Sequence, residues 1–314
     1  MKKVLIITDE KKSSYNQCDA LLYYLKKKVR LKKEHFKIKR EFTHTLPNFV
    51  IYIYLIIKSF LKKKHKNKNQ IADFIISCGR ISAPYSLMQK KLNKECKVFH
   101  ILDPYFLRNR FDKILIPSHD FQKFLKCKNV LEFLGTFVIK RKLSNCYVNN
   151  FKEIKSIKNV IACFVGGDGR SSKILISEVK DLVDKINLIS NRYTVVYCFS
   201  RRTSVVTKEI ICKRKNVNHY FYDYKDKNPY WYLMNKASHF IVTEDSVSMI
   251  SDATFTGKPV YIAKIKNIKE KIQNFVKNLE KKGVVKFFDG EIQSWKYQKI
   301  NESKRIANHL IKII

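Results

Sequence analysis

Short apolar runs alternate with longer amphipathic stretches from one end of the chain to the other. Apolar runs of roughly 4–8 residues bounded by polar or turn residues mark buried strands, and periodic stretches of a dozen or so mark helices. In the first half the pattern predicts strands over Lys3–Thr8, Phe36–Phe42, Phe74–Ser77, Val98–Leu102, Lys113–Ile116 and Val130–Phe133, with helices over Gln17–Arg30, Phe49–Lys64 and Ala83–Asn93. Lys140–Lys158 is polar, basic and without a core pattern, and reads as a linker. The alternation then restarts with strand Val160–Val165, helix Lys173–Ile189, strand Tyr193–Phe199, helix Val205–Lys213, strand Asn218–Phe221 and helix Pro229–Lys236. Strand Phe240–Thr243, helix Ser246–Phe255, strand Pro259–Ala263, a helical region Asn267–Lys282 and the tail Asn301–Ile314 complete it. Strand and helix in strict alternation, with near-continuous apolar strands, indicate α/β units with parallel sheets covered on both faces. The expected architecture is two doubly wound Rossmann-like domains facing a cleft, residues 1–145 and 146–300, with 301–314 as a C-terminal helix packing back on the first.

In open α/β sheets ligands sit at the carboxyl ends of the strands, so the candidate chemistry is sought there. Gly166-Gly167-Asp168-Gly169-Arg170 follows a strand and opens toward a helix, an arrangement that can aim bare amides and a guanidinium at a phosphate, although a tight turn needs the same glycines. It lacks the spacing of a P-loop or a dinucleotide fingerprint. Ser200-Arg201-Arg202-Thr203 ends the next strand, and two guanidiniums flanked by hydroxyls make a phosphate or carboxylate clamp, or a solvated basic turn. The most specific segment runs from Ile241 through Asp245, Ser246, Ser248, Met249 and Asp252 to Ala253, followed by Thr256-Gly257-Lys258-Pro259-Val260. Asp245 or Ser246 can cap the helix start, leaving amides for a diphosphate, and Asp252, about two turns in, can accept hydrogen bonds from ribose hydroxyls. In the first half, Asn16 and Gln17 after the first strand, and Gly79, Arg80 and Ser82 after the third, form a second set of strand-end residues. Asp103, His119 and Asp120 are the candidate general bases.

Composition alters this picture in two places. Lys and Arg number 64 against 27 Asp and Glu, a formal charge of +37, which attracts polyanions of every kind. Lys far outnumbers Arg and travels with abundant Asn, Ile, Tyr and Phe, as an AT-rich genome imposes on exposed positions whatever the function. No zinc-finger spacing or RNA-binding signature accompanies the charge, so no specific nucleic-acid partner is expected. The eight cysteines form no C-x-x-C pair, and Met1-Lys2-Lys3 leads straight into a strand instead of a signal core, pointing to reduced thiols in a cytoplasmic protein. The second place is Phe49–Lys66, where an apolar, aromatic run ends in Lys62-Lys63-Lys64-His65-Lys66. It is too short to span a bilayer. It sketches an interfacial helix at an anionic membrane, or a buried helix with a solvated basic end, and places the protein in the cytoplasm, peripheral at the inner face of the membrane. Metalloprotease, α/β-hydrolase and clustered Cys/His signatures are absent, so neither a metal nor a bound cofactor is expected.

Taken in order, Gly79-Arg80 with Ser82-Ala83-Pro84, Leu102-Asp103-Pro104, Ile116-Pro117-Ser118-His119-Asp120, Phe199–Thr203, Asn228-Pro229-Tyr230, Val242–Met249, Thr256–Tyr261 and Phe288-Asp289-Gly290 resemble the bacterial relatives of the plant elongated-mitochondria (ELM) fission factor. That family in turn resembles the GT-B glycosyltransferases, among them the peptidoglycan N-acetylglucosaminyltransferase, in which a Ser-Glu pair holds the nucleotide ribose; Ser251-Asp252 stands at the matching place. The resemblance implies a nucleoside-diphosphate sugar bound by Gly166, Gly167, Arg170, Ser200–Thr203, Asp245, Ser246, Ser248, Met249, Asp252 and Lys258, with the acceptor on the side of Asn16, Gln17, Gly79, Arg80 and Ser82. Where the family carries a Gly-rich turn after its first strand, Asp9–Gln17 keeps the Asp and Asn-Gln but not the glycines. The expected activity is metal-independent sugar transfer to a cell-envelope acceptor, with the leaving diphosphate stabilised by Arg201, Arg202 and Lys258. The alternative is a non-catalytic nucleotide-binding or recruitment protein at the membrane on the same scaffold.

Overall fold

The structure, a computed structural model, describes residues 1–39, 41–61, 72–214, 216, 218–225 and 228–314. The chain divides into two compact units, Met1–Ile139 with Asn301–Ile314, and Lys140–Ile300, so the boundary falls ahead of the 145/146 expected from composition.

The first unit begins β1 (Lys2–Thr8), α1 (Lys12–Lys26), β2 (Leu31–Lys37), α2 (Asn48–Leu61), β3 (Phe74–Cys78), α3 (Ser82–Leu92), β4 (Lys97–Ile101), β5 (Lys113–Pro117) and β6 (Val130–Phe133). Its six strands are all parallel in the order β2-β1-β3-β4-β5-β6. Strand periodicity divides the core between the two faces of this sheet. Ile6, Phe74, Ile76, Phe99 and Ile101 pack with α1 on one face, and Ile7, Ile75, Val98, Ile114 and Ile116 pack with α3 on the other. β3 is buried along its whole length, as a central strand covered on both faces must be.

β2 is the main departure from the sequence pattern. It occupies Leu31–Lys37 instead of Phe36–Phe42, and Phe42–Thr45 is a single 3-10 turn. As the edge strand it is mostly exposed and lysine-rich, which protects an open edge but hides the strand from any hydrophobic pattern. α1 likewise starts and stops some four residues before the predicted Gln17–Arg30, where the buried series Ser14, Cys18, Leu21, Leu22 and Leu25 places it. Of the predicted Phe49–Lys64 helix and the Phe49–Lys66 membrane segment, residues 62–66 lie outside the described residues.

The second unit contains α4 (Asn145–Asn149) and α5 (Lys152–Lys155) where a linker was expected, then β7 (Val160–Val165), β8 (Ser172–Lys173), α6 (Ile176–Ile189), β9 (Thr194–Phe199), α7 (Val205–Lys213), β10 (His219–Tyr222) and α8 (Tyr230–Lys236). It continues with β11 (His239–Thr243), α9 (Val247–Phe255), β12 (Val260–Ala263), β13 (Asn267–Ile268), α10 (Glu270–Lys281) and β14 (Val285–Phe287). The six-stranded parallel sheet runs β10-β9-β7-β11-β12-β14. β8 and β13 pair antiparallel as a small ribbon. They take the first residues of two regions predicted as wholly helical, because each pairs with a partner nearly a hundred positions away.

The tail forms α11 (Glu302–Ile311), which belongs to the first unit. Ile306, Ala307 and Leu310 are fully buried against the α1 face of its sheet. Ser303 Oγ donates to Val138 O and accepts the Val138 N–H, both at 2.8 Å, and Glu302 accepts the Leu134 N–H at 2.9 Å. Leu310→Ala should therefore cost about 2–5 kcal/mol of unfolding free energy in urea titration; a loss under about 0.5 kcal/mol would mean that α11 is not part of the core.

Candidate functional site

A doubly wound sheet opens a crevice where the order of its strands reverses. In the second unit the chain runs from β7 outward through β9 to β10, then returns to β11 on the other side of β7, so the reversal lies between β7 and β11. In the first unit it lies between β1 and β3. Gly166-Gly167 leaves β7, Ser200–Thr203 leaves β9 and Glu244-Asp245 leaves β11, which brings three of the predicted segments to one place.

Asp245 is the centre of that place. Its side chain is wholly buried, and its Oδ2 lies 2.6 Å from Arg202 Nη2. The same oxygen accepts the Gly167 N–H at 3.1 Å, and Oδ1 accepts the Thr243 hydroxyl at 2.6 Å. Thr243 Oγ1 in turn accepts the Gly166 N–H at 2.7 Å, and Arg202 Nη1 donates to Gly167 O at 2.8 Å. Ser200 Oγ donates to Gly166 O at 3.0 Å, and Thr203 Oγ1 accepts the Ser200 N–H at 2.8 Å. A Cβ on Gly166 would lie 2.1 Å from an Asp245 oxygen, and one on Gly167 would lie 2.0 Å from Arg202 O, so both glycines are demanded by the closeness of neighbouring loops.

This network corrects several expectations. The amides of Gly166 and Gly167 are spent inside the protein and are not free for a phosphate. Arg202 is held by Asp245 and a carbonyl, whereas Arg201 is exposed and engages no partner among the described residues. Arg170 is exposed as well. Lys258 stands just ahead of β12, at the amino end of the sheet, away from the loops that leave β7, β9 and β11. Its ammonium donates to Asn235 O and Ala237 O, each at 2.6 Å, and lies 3.3 Å from Met234 O, closing the end of α8 as a cation at a helix C-terminus does. Burial pushes its pKa down to about 8. The structure thus uses it as a helix cap.

What remains open lies around α9. Ser246 is its N-cap but makes no side-chain capping bond, and no acidic residue stands in its first turn. The amides at the start of this nine-residue helix thus keep their affinity for an anion. Ser248 is exposed and Met249 partly so. Farther along α9, Asp252 Oδ2 accepts the Tyr230 hydroxyl at 2.7 Å. Although Asp252 retains some surface, its carboxyl is enclosed by protein, and burial pushes it up to about 7 against the opposing pull of Tyr230 and Arg141. Arg141 lies over the Trp231 ring at 4.4 Å. Thr243, Tyr230 and Arg141 were not among the expected site residues; the signal for Tyr230 was its place in Asn228-Pro229-Tyr230, where Asn228 Oδ1 accepts the Tyr230 N–H at the start of α8.

In the first unit the strand-end residues serve mainly as fasteners. Gly79 has φ +86°, open to glycine at little cost. Arg80 donates to Leu46 O at 2.9 Å and to His44 O, and Ser82 Oγ donates to Gly79 O at 2.8 Å. Asn16 is partly buried on α1, and Gln17 Nε2 lies 3.9 Å from Cys78 Sγ. Asp103 is gripped by Arg108 through Nη2 at 2.8 Å and Nε at 3.2 Å and also accepts the Tyr105 N–H, so a carboxylate proposed as base is fully committed. His119 Nε2 stands 3.8 Å from Asp120 Oδ2 in the 3-10 turn that follows β5.

The family model described as mitochondrial fission ELM1 matches residues 14–314. An uncharacterized protein of Rickettsia prowazekii is 27% identical over 97% of this chain and 96% of its own. The Arabidopsis thaliana mitochondrial fission protein ELM1 is 26% identical over 75% of this chain, which spans 62% of that longer protein. Among solved structures, a putative UDP-N-acetylglucosamine 2-epimerase of Listeria monocytogenes aligns with a TM-score of 0.58 at 11% identity over 98% of this chain and 94% of its own. The Phytolacca americana UGT2 complexed with UDP-2fluoro-glucose and pterostilbene aligns with a TM-score of 0.55 at 9% identity, over 99% of this chain and 90% of its own. At such identities the likeness establishes the fold, that of GT-B glycosyltransferases and epimerases.

Two adjacent arginines should behave oppositely. Arg202→Met removes one donor from the buried Asp245 carboxylate and, with the guanidinium itself partly exposed, should cost about 1–3 kcal/mol in urea titration, whereas Arg201→Met should stay within about 0.5 kcal/mol; equal costs would remove Asp245 from the centre of the site. Because Asp252 titrates higher folded than unfolded, its contribution is present at low pH and lost as pH rises from about 4 to about 7. Asp252→Asn should therefore gain on wild type across that window by up to about 4 kcal/mol and run parallel to it above; a pH-independent difference would show that the carboxyl is not enclosed.

Proposed function

The chain belongs to the mitochondrial fission ELM1 family, and from that premise we propose that it is a GT-B-type glycosyltransferase-like enzyme that binds a nucleoside-diphosphate sugar at the strand reversal of its second unit. The observation that carries this reading is the uncapped start of α9, which opens from β11 beside the reversal and has Asp252 two turns along the same helix. The diphosphate would lie on the first-turn amides near Ser246 and Ser248, with the exposed Arg201 and Arg170 as counter-charges. Asp252 would accept ribose hydroxyls through the oxygen that Tyr230 does not occupy. A carboxyl near its midpoint at neutral pH would lose its proton as those hydroxyls bind.

Chemistry at such a site is positioning plus stabilisation of the leaving diphosphate, and neither calls for a metal or cofactor. His119, beside Asp120, is the candidate base that would take the acceptor's proton, since Asp103 is committed to Arg108. The acceptor would be a cell-envelope component met by the first unit, with the protein in the cytoplasm.

A non-catalytic nucleotide-binding protein is the second reading, favoured by one observation: Arg202, Lys258 and Asp103, three groups suited to catalysis, are all spent on holding the fold. Calorimetry and thermal shift against UDP, GDP, CDP, ADP and their sugar conjugates, in moderate salt to screen the basic surface, address both. Selective stabilisation by one nucleoside diphosphate, weakened about tenfold or more by Arg201→Met and by Asp252→Asn, is expected. Selective binding without hydrolysis or transfer of the sugar would favour the second reading, and a response ranked only by ligand charge would overturn both.

A further inference from the structure

We propose that the outward face of α2 is a docking surface for an anionic lipid bilayer. This inference is independent of the nucleotide site, and either can fail without the other. α2 is fastened at its base: Asn48 Nδ2 donates to Arg80 O at 2.8 Å and to Pro104 O at 2.7 Å, and Ile51 is buried. Away from that base, Phe49, Ile53 and Ile57 recur at every fourth position, hence on one face, and are 55%, 49% and 53% exposed. Leu61 extends the stripe at 80% exposure, and Phe42 in the preceding 3-10 turn is 87% exposed. Scattered exposed apolar residues are ordinary, but a continuous row on one anchored helix marks an interaction surface. Among the described residues no helix is long and apolar enough to cross a membrane. A helix with one apolar and one cationic face can lie in the plane of the interface.

Charge selects the occupant. Lys58 lies on α2, exposed, with its ammonium 5.3 Å from the Tyr54 ring centroid. A second copy of the chain, itself at +37, would bring the same cations against one another across a symmetric contact. An anionic bilayer accepts both features, the apolar side chains at the acyl boundary and the lysines at the headgroups.

Co-sedimentation of the full chain with phosphatidylglycerol and with phosphatidylcholine vesicles, at ~0.1 M and at higher salt, tests this. Ile53→Gln with Ile57→Gln removes apolar surface without altering charge and, both sites being exposed, should leave the melting transition in place. The wild type should sediment with phosphatidylglycerol vesicles only, and the double variant should partition roughly tenfold or more less well, with its response to nucleotides intact. Equal partition of variant and wild type would reduce the attraction to unspecific charge and overturn the proposal. So would light scattering that finds a wild-type dimer and a variant monomer, since the stripe would then be covered by a second copy.

Discussion

A single buried carboxylate holds the second unit's working end together. Asp245 ties the loop leaving β11 to the loops leaving β7 and β9, through Gly167 and Arg202, and to its own strand through Thr243. A carboxylate without water is tolerable only when its lone pairs are filled, and here backbone, hydroxyl and guanidinium fill them. The requirement propagates outward. Gly166 must be glycine because Asp245 stands where its Cβ would be, and Gly167 must be glycine because the Arg202 backbone does.

That constraint sorts residues that look alike. Arg201 and Arg202 are neighbours of the same type in the same turn and both are exposed, yet Arg202 completes the network and Arg201 engages no partner among the described residues. Lys258, although close in sequence to α9, closes the end of α8 at the far side of the sheet. With the glycine amides and Arg202 engaged internally, the uncapped amides of α9 and the exposed Arg170 and Arg201 stand outside the network. The loops are thereby preorganised around a helix start, which is where an anionic ligand gains most from fixed dipoles.

The first unit uses polar strand ends in a similar way. Arg80 fastens the approach to α2, Asp103 is locked by Arg108, and α11 returns from the end of the chain to finish the core. α2 contrasts with all of these, being anchored at one end and bare along one side. The core of the fold lies on the buried sheet faces, whereas the stripe on α2 leaves about half of each side chain exposed.

By itself the sequence determined the α/β class, the alternation of elements and the position of nearly every central strand, because those strands are apolar on both faces and need no partner to be recognised. It also placed the polar residues that end strands, and in Asn228-Pro229-Tyr230, Val242–Met249 and their companions it carried the family. Tertiary structure decided the rest. The polar edge strand β2, the ribbon of β8 with β13, and the short β14 exist through pairing with distant segments, which local periodicity does not encode. Strand order, and hence where the sheets reverse, is a property of the assembled sheet. Whether a given Gly, Arg, Lys or Asp faces a ligand or fastens the fold depends on which buried partner reaches it first, and Arg201, Arg202, Lys258 and Asp103 parted company only when those partners were in place.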